Sequence, residues 1–342
     1  MKAMLLSKIL PIEKEPLKMV NLPVFEPKPK EILVKILTCG VCHTELDEIE
    51  GRLQSKLPVI PGHEIVGKVE KLGSKVTKFK KGDRVGVAWI YYSCGECIFC
   101  REGKENLCLK FQSTGCSANG GYAEFTVVLE DFAYMIPKRF SSTQAAPLLC
   151  AGAIGYRALK LSKFQDGQVL GLFGFGASAH IIIQMVKYMY PNSKVFVFSR
   201  PQQKEHQNLA EKLGADWVGI TGDAPPVKLN CGIDFTPAWR PVVEALAALE
   251  KGGRIVINAI RKEEKDKASL LQLSYPKHLW QEKEIKTVAN ITRKDVQDFL
   301  PLAAKIPILP EVEEFRLKEA NRALILLKQG KIKGAAVLRI SN

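Results

Sequence analysis

The first part of the chain is built from short apolar runs that alternate with polar positions. Runs of this kind, broken by glycine, proline or charged residues, occur at 31–37, 65–72, 84–89 and 122–128. Alternation over four to eight residues predicts half-buried β-strands. The sequence up to about residue 147 therefore predicts an irregular β-rich body.

The pattern changes near residue 148, where strand-like runs begin to alternate with helical periodicity. Strands are predicted at 169–173, 195–199, 217–220, 233–236, 254–259 and 285–290. Helices are predicted at 177–189, 203–213 and 241–249, then at 296–304 and 317–328, before a last strand at 335–340. Strands separated by helices favour right-handed crossovers and a parallel sheet that binds ligands at the carboxyl ends of its strands.

Composition excludes several classes of protein. The chain has 342 residues, of which 46% are hydrophobic and 25% charged. These values are not those of collagen-like, disordered or small secreted proteins, and the length predicts about two domains. The net charge of +14, from 50 Lys and Arg against 36 Asp and Glu, favours anionic partners without choosing among them.

The longest uncharged stretch does not resemble a membrane span. Residues 169–186 contain no Asp, Glu, Lys or Arg, but their glycines, His180 and Gln184 favour a buried strand, turn and helix. The apolar run at the N-terminus is too short for a signal peptide. We therefore expect a cytoplasmic protein with no membrane partner.

Four of the nine cysteines form one compact motif. Cys94, Cys97, Cys100 and Cys108 are separated by two, two and seven residues. Four thiolates placed tetrahedrally at about 2.3 Å fill every position on a zinc ion, which would make this zinc structural. An iron–sulfur cluster is the alternative, but the last spacing and the residue after Cys108 do not fit its common pattern. Both signs of charge occur in the motif, and no basic recognition helix accompanies it, so nucleic acid is not expected as a partner.

The other candidate metal ligands are dispersed. Cys39 and Cys42 are two residues apart and could form a redox pair, although the βαβ context of such pairs is missing. Taken singly, His63 is more often a core or surface histidine, and Cys150 a buried apolar residue. Spacing alone leaves these alternatives open.

The segments around these residues resemble a known family. Gly62-His63-Glu64, followed by glycines at 67 and 73 and by Val76, matches the zinc signature of the medium-chain zinc-dependent alcohol dehydrogenases. The segments 40–45 and 147–150 and the four-cysteine motif follow in that family's order. The resemblance covers nearly the whole chain. It implies a GroES-like β-rich catalytic domain over 1–147, which contains the structural zinc lobe 94–108 and is completed by 291–342. It also implies a Rossmann coenzyme-binding domain over 148–290.

The resemblance implies a second, catalytic zinc and therefore two zinc ions per chain. Cys42, His63 and Cys150 would hold it, with water or a substrate oxygen in the fourth position. A zinc ion with an open position lowers the pKa of a bound alcohol, and the alkoxide can then transfer hydride to a nicotinamide ring. Glu64 and Glu45 would lie behind the metal and on the imidazole ligand.

Three further residues match catalytic or pocket positions of the family. Thr44 matches a hydroxyl that passes the alcohol proton through the coenzyme ribose. Many relatives end this relay with a histidine, where this chain has Asp47. A carboxylate is a weak base at neutral pH, so the role of Asp47 stays open. Trp89 matches an aromatic wall of the substrate pocket, and a packed core tryptophan is its equal alternative.

A glycine-rich turn predicts the dinucleotide site. Gly174-Phe175-Gly176-Ala177 follows a predicted strand and opens a predicted helix, with Ala179 completing a GxGxxA pattern. The glycines permit the tight turn and let the backbone approach the pyrophosphate of the coenzyme closely. The N–H groups and partial positive charge of the helix N-terminus attract that pyrophosphate.

The second strand of this domain favours NADP(H) over NAD(H). An acid that would bind the ribose 2′-hydroxyl is missing, and Ser199 and Arg200 stand there instead. Arginine binds a 2′-phosphate with two hydrogen bonds, and Lys204 and His43 match basic coenzyme contacts of the family.

The sequence thus predicts an oxidoreductase that transfers hydride between a primary or secondary alcohol, or its aldehyde or ketone, and NADP(H). The alternatives are an NAD(H)-dependent alcohol dehydrogenase and a zinc polyol or sugar dehydrogenase of the same superfamily. The latter often replace the third ligand cysteine by a carboxylate, whereas Cys150 is present here. Family members are commonly homodimers or homotetramers, and one of these states is expected.

Overall fold

A computed structural model describes residues 1–341. The N-terminal part contains strands β1 (Lys2–Leu6), β2 (Leu17–Asn21), β3 (Glu31–Val41), β4 (Ile65–Leu72), β5 (Arg84–Val87), β6 (Ile90–Tyr92), β7 (Gln112–Ser113), β8 (Phe125–Leu129) and β9 (Ala133–Met135). Its helices are α1 (His43–Ile49), α2 (Ile98–Arg101) and α3 (Ser142–Ala145).

The middle part alternates helices and strands. Its helices are α4 (Ala151–Ser162), α5 (Ala177–Met189), α6 (Lys204–Lys212) and α7 (Arg240–Ala248). Its strands are β10 (Val169–Phe173), β11 (Lys194–Ser199), β12 (Trp217–Ile220), β13 (Leu229–Asp234), β14 (Leu249–Ile257) and β15 (Glu284–Thr287). The last part contains α8 (Arg293–Lys305), β16 (Val312–Arg316), α9 (Ala320–Lys328) and β17 (Ala335–Arg339).

The chain forms two compact units. The first comprises residues 1–150, 291–304 and the chain from Pro310 onward, and the second comprises 151–290 and 305–309. The first unit therefore takes up most of the C-terminal segment, and only residues 305–309 of that segment belong to the second unit.

The first unit is organised around a largely antiparallel sheet. Its strand order is β16-β17-β3-β4-β5-β9, with β8 also paired to β3. Strand β3 is almost entirely buried because it has β4, β8 and β17 as neighbours, which explains its near-continuous apolar sequence. The core on this sheet includes Ile32, Ile36, Ile65 and Leu338, each fully buried.

The second unit contains a six-stranded parallel sheet in the order β12-β11-β10-β13-β14-β15. Strands β10 and β11 are apolar along most of their length because helices cover both faces of such sheets. From β10 the chain adds strands first on one side of the sheet (β11, β12) and then on the other (β13, β14, β15). Open parallel sheets bind ligands at the point between β10 and β13 where this direction changes.

The fold class predicted from sequence, a β-rich part followed by an α/β part with a parallel sheet, is confirmed. Several strand boundaries differ. The strand predicted at 122–128 begins only at Phe125, because residues 120–122 donate their N–H groups to the carbonyls of residues 60–62. The strand predicted at 254–259 begins at Leu249 and ends at Ile257.

The uncharged stretch 169–186 forms strand β10, a turn and most of α5. Within residues 1–341, no helix is both long enough and apolar enough to cross a bilayer.

Candidate active site

Three distant segments of the first unit bring four ligand atoms together. Cys42 is the single residue between β3 and α1, and Cys150 directly follows a short turn that starts at Ala146. His63 and Glu64 directly precede β4. One ligand atom from each of Cys42, His63, Glu64 and Cys150 lies within 4.8 Å of every other. The dispersed ligand set expected from the resemblance thus occupies one place, together with the Glu64 carboxylate.

Glycines shape the turn that carries His63. Gly62 has a φ of +101°, a left-handed conformation that other residues rarely adopt. A Cβ on Gly120 would lie 2.1 Å from the Gly62 carbonyl oxygen, so the two backbones pack with no room for a side chain. The turn is further fixed by the hydrogen bond from the Tyr122 N–H to the Pro61 carbonyl at 2.9 Å.

Glu45 orients the imidazole of His63. One carboxylate oxygen of Glu45 accepts the Cys42 N–H at 2.8 Å, and the other contacts Nδ1 of His63. Both side chains are fully buried. Nε2 of His63 has no hydrogen-bond partner within residues 1–341, so this nitrogen is the one presented to the two sulfurs. A histidine held through one nitrogen by a carboxylate is the usual arrangement of a metal ligand.

The ionisation of the cluster supports a metal site. Burial by itself lowers the pKa of His63, but the Glu45 carboxylate and Cys42 raise it well above its ordinary value. The hydrogen bond from Cys150 lowers the pKa of the Cys42 thiol well below its ordinary value, and the same contact raises the pKa of Cys150. Two sulfurs and one imidazole nitrogen fit three positions of a zinc ion, and the Glu64 carboxylate lies beside the fourth.

Glu64 is confined beside this cluster. Its side chain is buried, and burial raises its pKa well above the ordinary value. A Cβ on Gly40 would lie 1.8 Å from Oε2 of Glu64, so residue 40 must be glycine for the carboxylate to stay there.

The remaining predicted residues of this site differ in what they contact. The Thr44 hydroxyl lies 3.7 Å from Sγ of Cys42. The Asp47 carboxylate accepts a hydrogen bond from Nε of Arg52, with the two atoms 2.6 Å apart. The Trp89 ring meets the His63 ring edge-on, with ring centres 5.0 Å apart. His43, the first residue of α1, is exposed.

One ionisable group near the cluster was not predicted from the sequence. Glu48 is fully buried on α1, and neither of its carboxylate oxygens has a hydrogen-bond partner in the described chain. Burial raises its pKa well above the ordinary value, and the nearby Glu45 raises it further. The only available signal was its position three residues after Glu45, which places both on one face of a helix.

The four-cysteine motif also forms one cluster. The ligand atoms of Cys94, Cys97, Cys100 and Cys108 all lie within 4.8 Å of one another. Backbone N–H groups point at the sulfurs: Cys97 donates to Sγ of Cys94 at 3.4 Å, and Cys94 donates to Sγ of Cys108 at 3.3 Å. Hydrogen bonds from the backbone of Cys100 lower the pKa of Cys97 to about 6. Four sulfurs so arranged fit a structural zinc ion.

An ion pair anchors this lobe to α8. The Glu105 carboxylate accepts the N–H of Arg293 at 2.6 Å and its Nε at 2.8 Å, and also the Ser93 hydroxyl at 3.2 Å. Because α8 belongs to the C-terminal segment, this contact ties the lobe to the part of the chain that completes the first unit.

Within residues 1–341, none of the nine cysteines forms a disulfide. Cys39, which the sequence suggested as a redox partner of Cys42, is fully buried. It packs against Gly62, since a Cβ built on Gly62 would lie only 2.8 Å from the Cys39 sulfur.

In the second unit, the glycine-rich turn lies between β10 and α5 as the sequence pattern requires. Gly174 has a φ of +85°, and Gly176 immediately precedes α5. Nothing lies within 4 Å of a Cβ built on Gly176, so the helix N-terminus has open space in front of it. Phe175 is buried, and Ala177 begins the helix. This space and the outward N–H groups of the first turn fit a pyrophosphate.

The end of β11 carries the residues predicted to select the coenzyme. Ser199 is buried and its hydroxyl accepts Nε2 of Gln207 at 2.9 Å. Arg200 and Lys204 are exposed beyond it, and Lys204 begins α6. The strand end thus exposes two cations beside a buried hydroxyl.

The chain is similar in sequence and in structure to known alcohol dehydrogenases. A family model described as the alcohol dehydrogenase GroES-like domain matches residues 28–138. The chain is 42% identical over 336 residues to "Probable alcohol dehydrogenase AdhA" of Mycobacterium tuberculosis, covering 96% of this chain and 94% of that protein. It is 35% identical over 323 residues to an alcohol dehydrogenase of Geobacillus stearothermophilus, covering 91% and 92%. The crystal structure of CAD from Helicobacter pylori complexed with NADP(H) superposes with a TM-score of 0.85 at 26% identity and covers 99% of both chains.

Proposed function

The chain belongs to the zinc-dependent medium-chain alcohol dehydrogenase family, and we propose that it interconverts primary or secondary alcohols with their aldehydes or ketones, using NADP(H). The observation that carries this proposal is the cluster of Cys42 with the buried His63 and Cys150, in which Nε2 of His63 lacks any partner among the described residues. A zinc ion bound there supplies a Lewis acid that stabilises the alkoxide form of the alcohol.

The residues around the ligands keep this site in one geometry. Glu45 fixes the tautomer of His63, because its carboxylate accepts a hydrogen bond from Nδ1–H and leaves the unprotonated Nε2 as the ligand atom. Trp89 packs edge-on against the same ring and so restricts its rotation. The two sulfurs and the imidazole are therefore presented without rearrangement.

Thr44 is the hydroxyl that receives the alcohol proton. It lies in the first turn of α1, and its oxygen is 3.7 Å from Sγ of Cys42, beside the ligand cluster. Asp47, which stands where many relatives carry the last group of the relay, follows three residues later on the same helix. Its charge is compensated by Arg52, so it is a poor general base on its own.

NADP(H) is the proposed coenzyme because of the end of β11. A ribose 2′-phosphate there would meet the cations of Arg200 and Lys204, and the strand ends in Ser199 rather than in an acid. An acidic residue in place of Ser199 would repel that phosphate. His43, exposed at the start of α1, is the proposed further basic contact of the coenzyme.

The test is a coenzyme-linked absorbance screen over alcohols, aldehydes and polyols, run with metal analysis of the same preparation. We expect about two zinc ions per chain and kcat/KM at least about tenfold higher with NADP than with NAD. The Arg200→Ala variant should lose most of this preference while its kcat/KM with NAD stays near the wild-type value. A wild-type preference for NAD would reject the coenzyme assignment, and turnover of polyols alone would reject the substrate class.

A further inference from the structure

Three adjacent strands of the parallel sheet end close together in the second unit. Strand β10 pairs with β13, and β13 pairs with β14, all in parallel. Neighbouring strands lie about 4.8 Å apart, so the end of β14 is about 10 Å from the end of β10. Residues that follow β13 and β14 therefore lie on the same edge as the glycine-rich turn after β10.

The direction of a bound dinucleotide along this edge follows from the strand order. With the pyrophosphate at Gly176 and the adenosine ribose at Ser199, the adenosine half lies on the β11 side of β10. The nicotinamide half must then extend to the other side, over the ends of β13 and β14. This step rests on the proposed coenzyme use.

Most polar groups at the end of β13 already have partners. The Asp234 carboxylate is bound by Nζ of Lys262 and accepts the Thr236 hydroxyl at 2.7 Å. Lys262 also donates to the carbonyls of Thr236 at 2.9 Å and Ala238 at 2.8 Å. These contacts hold the loop after β13 against the loop after β14.

Asn258, the first residue after β14, is different. Only 8% of its surface is exposed, and its side-chain oxygen has no hydrogen-bond partner within residues 1–341. Its backbone N–H donates to the Asp234 carbonyl at 2.8 Å, which fixes the residue at the strand end. A buried amide oxygen without a donor is unfavourable, so a ligand that supplies a donor is favoured here.

We propose that Asn258 is a further coenzyme-binding residue, whose side-chain amide hydrogen-bonds the nicotinamide riboside half of the dinucleotide. The donor is a ribose hydroxyl or the carboxamide N–H, both of which belong to that half. Asn258 thus fixes the nicotinamide end, while Arg200 fixes the phosphate at the adenosine end.

The experiment compares two ligands that share the adenosine half. The Kd of NADPH is measured by its fluorescence, and the Kd of adenosine 2′,5′-bisphosphate by calorimetry, on the zinc-loaded full chain. Asn258→Ala should raise the Kd of NADPH about five- to tenfold, the effect of one lost hydrogen bond, and leave that of the bisphosphate within about twofold. Asn258→Asp keeps an acceptor oxygen and should retain NADPH binding within about threefold.

Two control variants test whether the effect on NADPH binding is specific to Asn258. Ile260→Ala removes an exposed side chain two residues further on and should change neither Kd. Arg200→Ala should weaken both ligands, because both carry the 2′-phosphate.

Equal weakening of both ligands by Asn258→Ala would overturn the proposal, since the residue would then only support the sheet edge. No change in either ligand would overturn it as well. If the wild type binds NADH rather than NADPH, the coenzyme assignment fails separately, and the same comparison is made with NADH and AMP. If the wild type binds no dinucleotide, the proposed function and this inference both fail.

Discussion

The two sulfur clusters of the first unit are built in opposite ways. The four-cysteine lobe takes its ligands from fifteen consecutive residues, and three of its cysteines are partly exposed. The cluster of Cys42, His63 and Cys150 takes its ligands from three segments spread over more than one hundred residues, and its histidine is fully buried. In the lobe, backbone N–H groups support the sulfurs, whereas in the dispersed cluster a buried carboxylate supports the imidazole.

This difference indicates different tasks. Four sulfurs fill a tetrahedral shell and act as a cross-link for the short segment that carries them. Three ligands leave a position open, and such a site requires second contacts that hold each ligand in one orientation. The consequences of losing each cluster should therefore differ in kind.

The largest expected effect is the loss of turnover when His63 is replaced. His63→Ala should lower kcat by at least about 10³-fold, because the Lewis acid is no longer held in place. Metal analysis should show the zinc content falling from about two ions to about one per chain.

The matched change in the lobe is Cys100→Ser. It should also remove one zinc ion, but its main effect should be a lower thermal midpoint, with kcat per folded chain within about tenfold of the wild type. If Cys100→Ser abolished turnover as fully as His63→Ala while the chain stayed folded, the division of tasks between the clusters would be wrong.

A smaller loss is expected from Glu45→Gln. The glutamine oxygen can still accept the Nδ1–H hydrogen bond of His63, but the negative charge that makes the imidazole a more basic ligand is lost. Loss of such a supporting carboxylate typically lowers activity or metal affinity by about 10- to 100-fold. Steady-state kinetics and zinc titration would measure both.

Glu50→Gln is the control for this change. Glu50 lies directly after α1, and one of its oxygens accepts the Ile12 N–H at 3.0 Å, which a glutamine oxygen can also do. Activity within about twofold of the wild type is expected. Equal losses in both variants would mean that the charge near α1, rather than the contact with His63, matters.

The two clusters also differ in what the sequence could reveal. The lobe was recognisable from spacing because its ligands are neighbours along the chain, and the same holds for the turn at Gly174, which lies within one strand–turn–helix unit. Spacing alone could not assemble Cys42, His63 and Cys150, and a family resemblance was needed to group them. Glu48 and Asn258 were missed because their significance depends on burial without a partner, which is a property of the folded chain.

Glu48 gives a third prediction, on stability. Its folded-state pKa is raised by burial, so the folded chain holds a proton that the unfolded chain releases above pH of about 4.5. Stability therefore falls as the pH rises from that value towards the raised pKa. Glu48→Gln removes this penalty and should stabilise the chain by about 1–2 kcal/mol at pH 7, with little gain at pH 4.

Chemical denaturation at both pH values would measure this difference. Glu124→Gln is the control, since Glu124 is partly exposed and accepts the Lys2 N–H at 2.7 Å. A gain of the same size at pH 4 and pH 7 would show that the ionisation of Glu48 is not its cause.

The smallest expected effect distinguishes the sulfurs of the lobe from ordinary thiols. In the chain stripped of zinc, the N–H groups of Cys100 and Leu109 lower the pKa of Cys97 to about 6. Its alkylation by iodoacetamide, followed by peptide mass spectrometry, should therefore slow only about twofold between pH 7.5 and pH 6, because the thiolate is still half populated. An ordinary thiol with a pKa near 8.5 would slow about 30-fold over the same interval. A steep decline at Cys97 would mean that the N–H groups leave the sulfur once the metal is removed, and that the lobe, unlike the buried cluster, has no geometry of its own without the ion.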